Sequence, residues 1–134
     1  MATRPARNPP VPGGDLELAL LDALWERGQE ATARELYEQV GAARKIVYTT
    51  VAKVLDRLVD KRLVRRRKSG RAYCYKPVAK RAETQRAMAR TFIKRLASDD
   101  PQPAVAALVG AIEDVSPELL EELAAELVAR KGGK

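Results

Sequence analysis

From residue 16 onward, apolar side chains return at helical spacing. In 16–27 (LELALLDALWER), Leu16, Leu20, Ala23 and Leu24 form one stripe, and Leu18, Leu21 and Trp25 widen it. That pattern predicts a first helix covered on most sides, with Asp15 as its N-cap and Gly28 as its stop. Trp25, the only Trp, falls inside this run and reads as core rather than as a platform for stacking bases. Over 32–40, Ala33, Leu36, Tyr37 and Val40 repeat at i, i+3, i+4, i+7. Thr32 and Glu35 have the spacing of a capping box, and Gly41 is the expected end. A third helix is predicted over 47–61. Val51, Val54, Leu55 and Leu58 share one face; Thr49, Lys53 and Arg57, spaced by four, share the opposite one with Thr50 beside them.

The period then changes. In 63–76 (LVRRRKSGRAYCYK), Leu63-Val64 opens a strand, Ser69-Gly70 signals a turn, and Ala72 to Tyr75 alternates small and aromatic side chains before Pro77. This predicts a two-stranded β-hairpin with Arg65, Arg66, Arg67, Lys68 and Arg71 crowding its tip. Bare hairpins are marginal, so it must lean on the helices, with Tyr73 and Tyr75 as the packing side.

Beyond it, 79–97 predicts a basic helix with Met88, Phe92 and Leu96 at four-residue spacing, and Pro101 and Pro103 punctuate. Residues 104–113, with Leu108 and Ile112, predict a short apolar helix. Residues 117–130 predict a last helix with Ser116 as N-cap, Pro117 at its first position, Glu118, Glu121 and Glu122 near the positive end of its dipole, and Gly132-Gly133 at its end. Leu119, Leu120, Leu123, Leu127 and Val128 form its stripe.

Composition sharpens the picture. The chain has 134 residues with 46% hydrophobic and 32% charged, enough apolar material for one core and an appendage. It has no His and one Cys, Cys74, which excludes His-based triads, His-containing zinc sites, an intrachain disulfide and thiolate metal clusters. No cofactor or metal is implied, and Cys74 reads as a small packing residue, with a redox sensor as the alternative. Asp15, Asp22, Asp56 and Asp60 show no paired-carboxylate spacing, so an enzyme is not expected. No secretory h-region or membrane span is evident, so a cytoplasmic protein is expected. Charge is uneven: residues 1–97 carry 22 Lys/Arg against 10 Asp/Glu, and residues 98–134 carry 3 against 8. A basic part that meets a polyanion and an acidic part that meets protein follow from that asymmetry.

The expected architecture is therefore mainly α: a disordered leader (1–14), a winged helix-turn-helix domain (15–78), a helical dimerisation region (79–131) and a tail (132–134). The order of three helices and a basic hairpin suits double-stranded DNA. The third helix fits the major groove, about 12 Å wide, and the hairpin reaches the flanking backbone. Candidate DNA contacts are Arg44, Lys45, Tyr48, Thr49, Thr50, Lys53 and Arg57 at the helix and its entrance, and Arg65, Arg66, Arg67, Lys68 and Arg71 on the wing. Tyr48 is equally consistent with DNA contact and inward packing. The candidate dimer surface is Met88, Phe92, Leu96, Leu108, Ile112, Leu119, Leu120, Leu123 and Leu127. The competing reading is a winged-helix protein–protein or RNA-associated adaptor, which would expose an apolar patch where this chain places hydroxyls and cations.

The segments GDLELALLDALWERG (14–28), VYTTVAKVLDRLVDKRLVRR (47–66), GRAYCYKP (70–77) and DVSPELLEELAAEL (114–127), in this order and spacing, resemble the penicillinase-repressor family (BlaI/MecI-type, with copper-responsive CopY-type relatives). The resemblance implies a homodimeric repressor on inverted-repeat operators, dimerised through its C-terminal helices. In many members it also implies relief through a sensor-protease pathway that leads to cleavage in the C-terminal region. Three departures stand out. Arg62 occupies the place where the family usually has Gly. The paired Cys of the copper-responsive relatives are missing. The Asn-Phe pair cut in some members, expected near Gly110-Ala111, is absent.

Overall fold

In the computed structural model, which describes residues 10–97 and 99–132, the apolar stripes meet as their spacing requires. The elements run α1 (Asp15–Arg27), β1 (Ala31–Thr32), α2 (Ala33–Leu36) continuing as a π-helical segment (Tyr37–Gly41), α3 (Tyr48–Asp60), β2 (Val64–Ser69), β3 (Ala72–Pro77), α4 (Arg81–Leu96), α5 (Gln102–Val115) and α6 (Pro117–Gly132). The chain forms two compact units, divided between Thr91 and Phe92. Arg4 and Arg7 of the expected leader, and Gly133 of the expected helix stop, lie outside the described residues.

In the first unit, Leu20, Leu21 and Leu24 of α1, Leu36 of α2, Val51, Leu55 and Leu58 of α3 and Val64 of β2 are fully buried in one cluster. Trp25 packs at its edge, its Nε1 donating to the Ala79 carbonyl at 3.0 Å. Burying side chains of this size removes the most apolar area per residue from water, so these positions anchor the cluster, which Val40, Val54, Leu63 and Tyr75 extend.

The helix ends show what the local chemistry does. Gly28 takes φ 69° and donates its N–H to the Leu24 carbonyl, the left-handed stop that glycine makes without strain. The Thr32–Glu35 capping box is complete in both directions. The N-cap of α1 is Gly14 rather than Asp15, which is already helical; Glu17 reaches back instead to accept the Gly13 N–H at 2.9 Å. Ser116 spends its hydroxyl on the Glu118 carboxylate at 2.8 Å rather than on a backbone N–H.

The second helix departs from its sequence pattern. It widens to a π-helical turn ending at Gly41, where an added Cβ would lie 2.8 Å from Tyr37 Cδ1 and 2.9 Å from Val51 Cγ2. Gly41 therefore serves the close approach of this segment to α3, beyond ending a helix.

The sheet has three strands rather than two, all antiparallel, in the order β1-β3-β2. Ala31 pairs with Tyr75 and Thr32 with Cys74. Two residues are too few to show a strand period, so β1 is invisible in the sequence. It gives the hairpin the third strand that a marginal two-stranded ribbon needs.

In the second unit α5 and α6 pack on each other. Ala104 is the buried apolar residue there, and Phe92, Ile93, Leu96, Val105, Val109, Val115, Leu119, Leu127 and Val128 are exposed. Among the described residues, no helix is long and apolar enough to cross a membrane.

Candidate nucleic-acid interface

Burial of Val51, Val54, Leu55 and Leu58 fixes the rotation of α3. The same rotation turns Thr49, Thr50, Lys53 and Arg57 outward, all exposed. Arg44 and Lys45 stand exposed in the preceding turn, which Lys45 closes at φ 58°. Tyr48 is 37% exposed and packs edge to face on Tyr37, centroids 5.9 Å apart. One edge of Tyr48 packs on Tyr37 and the rest of the ring faces solvent.

Arg34 is a cation that the periodicity does not single out. Its guanidinium lies 4.8 Å from the Tyr48 ring centroid and 5.9 Å from that of Tyr37, beside the entrance of α3. Only the i, i+3 spacing of Arg34 and Tyr37 hints at it.

Pairing register sorts the wing cations between two faces. Arg66 opposes Tyr75 and Lys68 opposes Tyr73, on the face that holds buried Val64 and Tyr75. Arg65 opposes Lys76 and Arg67 opposes Cys74, on the other. Tyr75 is buried as expected, and burial raises its hydroxyl pKa, with Asp56 adding to the effect. Tyr73 is not a packing residue: it is 40% exposed, because the hairpin extends past the helices, and Arg66 covers its ring at 4.4 Å. Gly70 turns the tip at φ 63°.

Two wing arginines are already engaged. Arg66 donates to Asp56 of α3 at 3.0 Å. Arg67 grips Glu30 with two nitrogens, a fork-on-carboxylate pair. The hydrogen bond from Arg67 holds the Glu30 carboxyl below its ordinary range, with Lys76 adding attraction; the same pair raises Arg67. Arg65, Lys68 and Arg71 form no ion pair among the described residues, nor do Arg44, Lys45 and Lys53. These six cations are free to meet an anion.

The far end of α3 is tied down differently. Glu17, 5% exposed, accepts from Lys61 Nζ at 2.8 Å and lies 3.8 Å from Arg57. Burial raises its pKa, but the hydrogen bonds from Lys61 and the Gly13 N–H outweigh that, with Coulombic help from both cations, and the net shift is downward. Arg57 is thereby held at one end of the outward face, while Thr49, Thr50 and Lys53 stand unengaged toward the positive end of the helix dipole.

A family model for the penicillinase repressor matches residues 13–129. The chain belongs to the penicillinase repressor family. It is 38% identical over 125 residues to the transcriptional regulator BlaI of Mycobacterium tuberculosis, in strains CDC 1551 and H37Rv alike, covering 90% of this chain and 88% of the relative. As a member of this repressor family it is a transcriptional repressor of winged helix-turn-helix type and not an enzyme. Among solved structures it is similar to the PcaV transcriptional regulator of Streptomyces coelicolor (TM-score 0.47, 23% identity, 77% of this chain and 76% of that one). It is also similar to ZitR of Lactococcus lactis (TM-score 0.45, 15% identity, 99% and 81%). Of the residues read as a dimer surface, Phe92, Leu96, Leu119 and Leu127 are exposed, and Met88, Leu108, Ile112, Leu120 and Leu123 are half-buried.

Proposed function

We propose that two copies of this repressor grip an inverted-repeat operator in double-stranded DNA and exclude polymerase by occupancy. The N-terminal half of α3 enters the major groove. Thr49, Thr50 and Lys53 meet base edges or phosphates, and Arg44 and Lys45 hold backbone at the entrance. Arg65, Lys68 and Arg71 clamp flanking phosphates, which sets orientation rather than sequence. Arg66 and Arg67 steady the wing and reach DNA only by giving up Asp56 and Glu30. The observation that carries this reading is a helix whose N-terminal half exposes two hydroxyls and an unpaired lysine, followed by a hairpin with three cations outside any ion pair among the described residues. An adaptor would present apolar surface there.

Dimerisation through the helices beyond the wing follows from the apolar side chains they leave exposed, which a second copy would cover. Two recognition helices one turn of DNA apart, about 34–36 Å, require a palindromic site. Relief through a sensor-protease pathway is the family's route. The Asn-Phe pair cut in some members is absent here, and its matching place, Gly110-Ala111, falls inside α5, where any cleavage would need local unfolding first. A cytoplasmic location fits a protein whose partner is a promoter.

The test is a pair of substitutions on selected and random duplexes. Lys53→Ala and Thr50→Ala each cost about 1–3 kcal/mol on the selected site and less on random DNA. Arg65→Ala weakens both alike. An equal loss on both duplexes for Lys53→Ala and Thr50→Ala would strip α3 of its reading role.

A further inference from the structure

A recess of about 450 Å³ lies in the first unit, away from the outward face of α3. Its floor is apolar: Leu63, Val78, Ala79 and Ala87 line it. The volume falls within the range of small-molecule sites, roughly 300–1,000 Å³. Pro10, Thr84 and three exposed arginines, Arg62, Arg86 and Arg90, complete the lining with Glu83, and none of the three is in an ion pair among the described residues. Glu83 is the one acid of the lining, and its carboxylate already accepts the Lys80 N–H at 3.1 Å. An apolar floor edged by unpaired arginines fits a guest with an apolar body and an anionic group, and a carboxylate offers a guanidinium a two-point match.

The position of the recess adds a consequence. Arg62, which follows α3 within two residues, sits in the left-handed region at φ 65°. The Val78 N–H closes on the Leu63 carbonyl at 3.1 Å, so the turn after α3 and the last residues of the wing are pinned together at the floor. A guest here touches the turn after the recognition helix, the base of the wing and the start of α4 at once.

We propose that this recess is a binding site for a small aromatic carboxylate. It goes beyond the DNA-binding reading and is tested without DNA, so either can fail alone.

The probe is 2-naphthoate, titrated calorimetrically into the full chain, with 2-naphthol as the uncharged analogue of the same ring. Arg86 and Arg90 are exposed on α4, so the R86Q/R90Q double variant keeps the fold, which its melting curve verifies. Saturable binding of one 2-naphthoate per chain is expected, weakened about tenfold or more in R86Q/R90Q, with 2-naphthol binding at least tenfold more weakly to the wild type. No saturable binding overturns the proposal. So does binding that persists unchanged in R86Q/R90Q, or that is equal for 2-naphthol, since the guest then sits on exposed apolar surface elsewhere.

Discussion

Glu17→Gln removes one charge and almost no volume at the foot of the recognition helix. The carboxylate is buried and accepts two hydrogen bonds, from Lys61 Nζ at 2.8 Å and from the Gly13 N–H at 2.9 Å, with Arg57 at 3.8 Å. Hydrogen bonds to a charged group are worth about 1.5–3 kcal/mol each before discount. The cationic side chains keep 35% and 60% of their exposure, and solvent screening of their charges lowers the yield. The amide retains part of the hydrogen bonding. A loss of about 1–2 kcal/mol at neutral pH follows, or roughly 4–16 °C in melting temperature for a domain of this size. The sign with pH is fixed by the direction of the shift. The folded-state pKa lies below the ordinary carboxylate range, so the stabilisation is present in full above that range and fades as pH falls through the lowered value. Urea denaturation of wild type and variant across neutral to acid pH measures it. The gap between the two should be constant above the ordinary carboxylate range and close below it, because a protonated Glu and a Gln are near equivalents. A gap that does not change with pH, or a variant as stable as the wild type at pH 7, would refute the ion-pair account of Glu17.

Other expectations follow the same logic. Arg62→Gly relieves a left-handed arginine, worth about 1–2 kcal/mol, against an unfolded-state entropy cost of about 0.5–1 kcal/mol. The variant should melt slightly higher, and a lower melting temperature would contradict the reading of strain at φ 65°. Leu58→Ala, at a position with 0% exposure, should cost about 2–5 kcal/mol in chemical denaturation. Glu30→Gln frees one Arg67 in each subunit and should steepen the log–log salt dependence of duplex binding by about two units; an unchanged slope would mean that Arg67 is kept from phosphate by something other than Glu30. Leu123→Asp should convert the sedimenting species to monomer and weaken operator binding together.

Much of the fold was legible because it rests on local rules. The stripe of α3 needs only spacing, the Thr32–Glu35 box only an interval of three, and the stop at Gly28 only a missing Cβ. What escaped depends on partners distant in sequence. β1 is two residues long and becomes a strand only because β3 lies beside it. Glu30 and Arg67 are 37 positions apart, and their meeting is set by that same strand pairing. Tyr73 and Tyr75 share a face in any alternating strand, yet only Tyr75 has a helix surface to lie on. The close approach at Gly41, where an added Cβ would meet Tyr37 and Val51, is a contact that no spacing rule contains. For the interface, the exposed hydroxyl-and-cation face of α3 could be read from periodicity. Which wing cations stay free could not, since the carboxylates that occupy Arg66 and Arg67 lie on other elements.

The most direct measurement of the central claim is the affinity of the intact chain for a selected duplex as salt is raised from 50 to 200 mM. If the unpaired cations of α3, its entrance and the wing meet about 6–10 phosphates across two subunits, affinity falls by roughly 10³–10⁵ over that range. Affinity that ignores salt, or no duplex binding at the lower concentration, would contradict it.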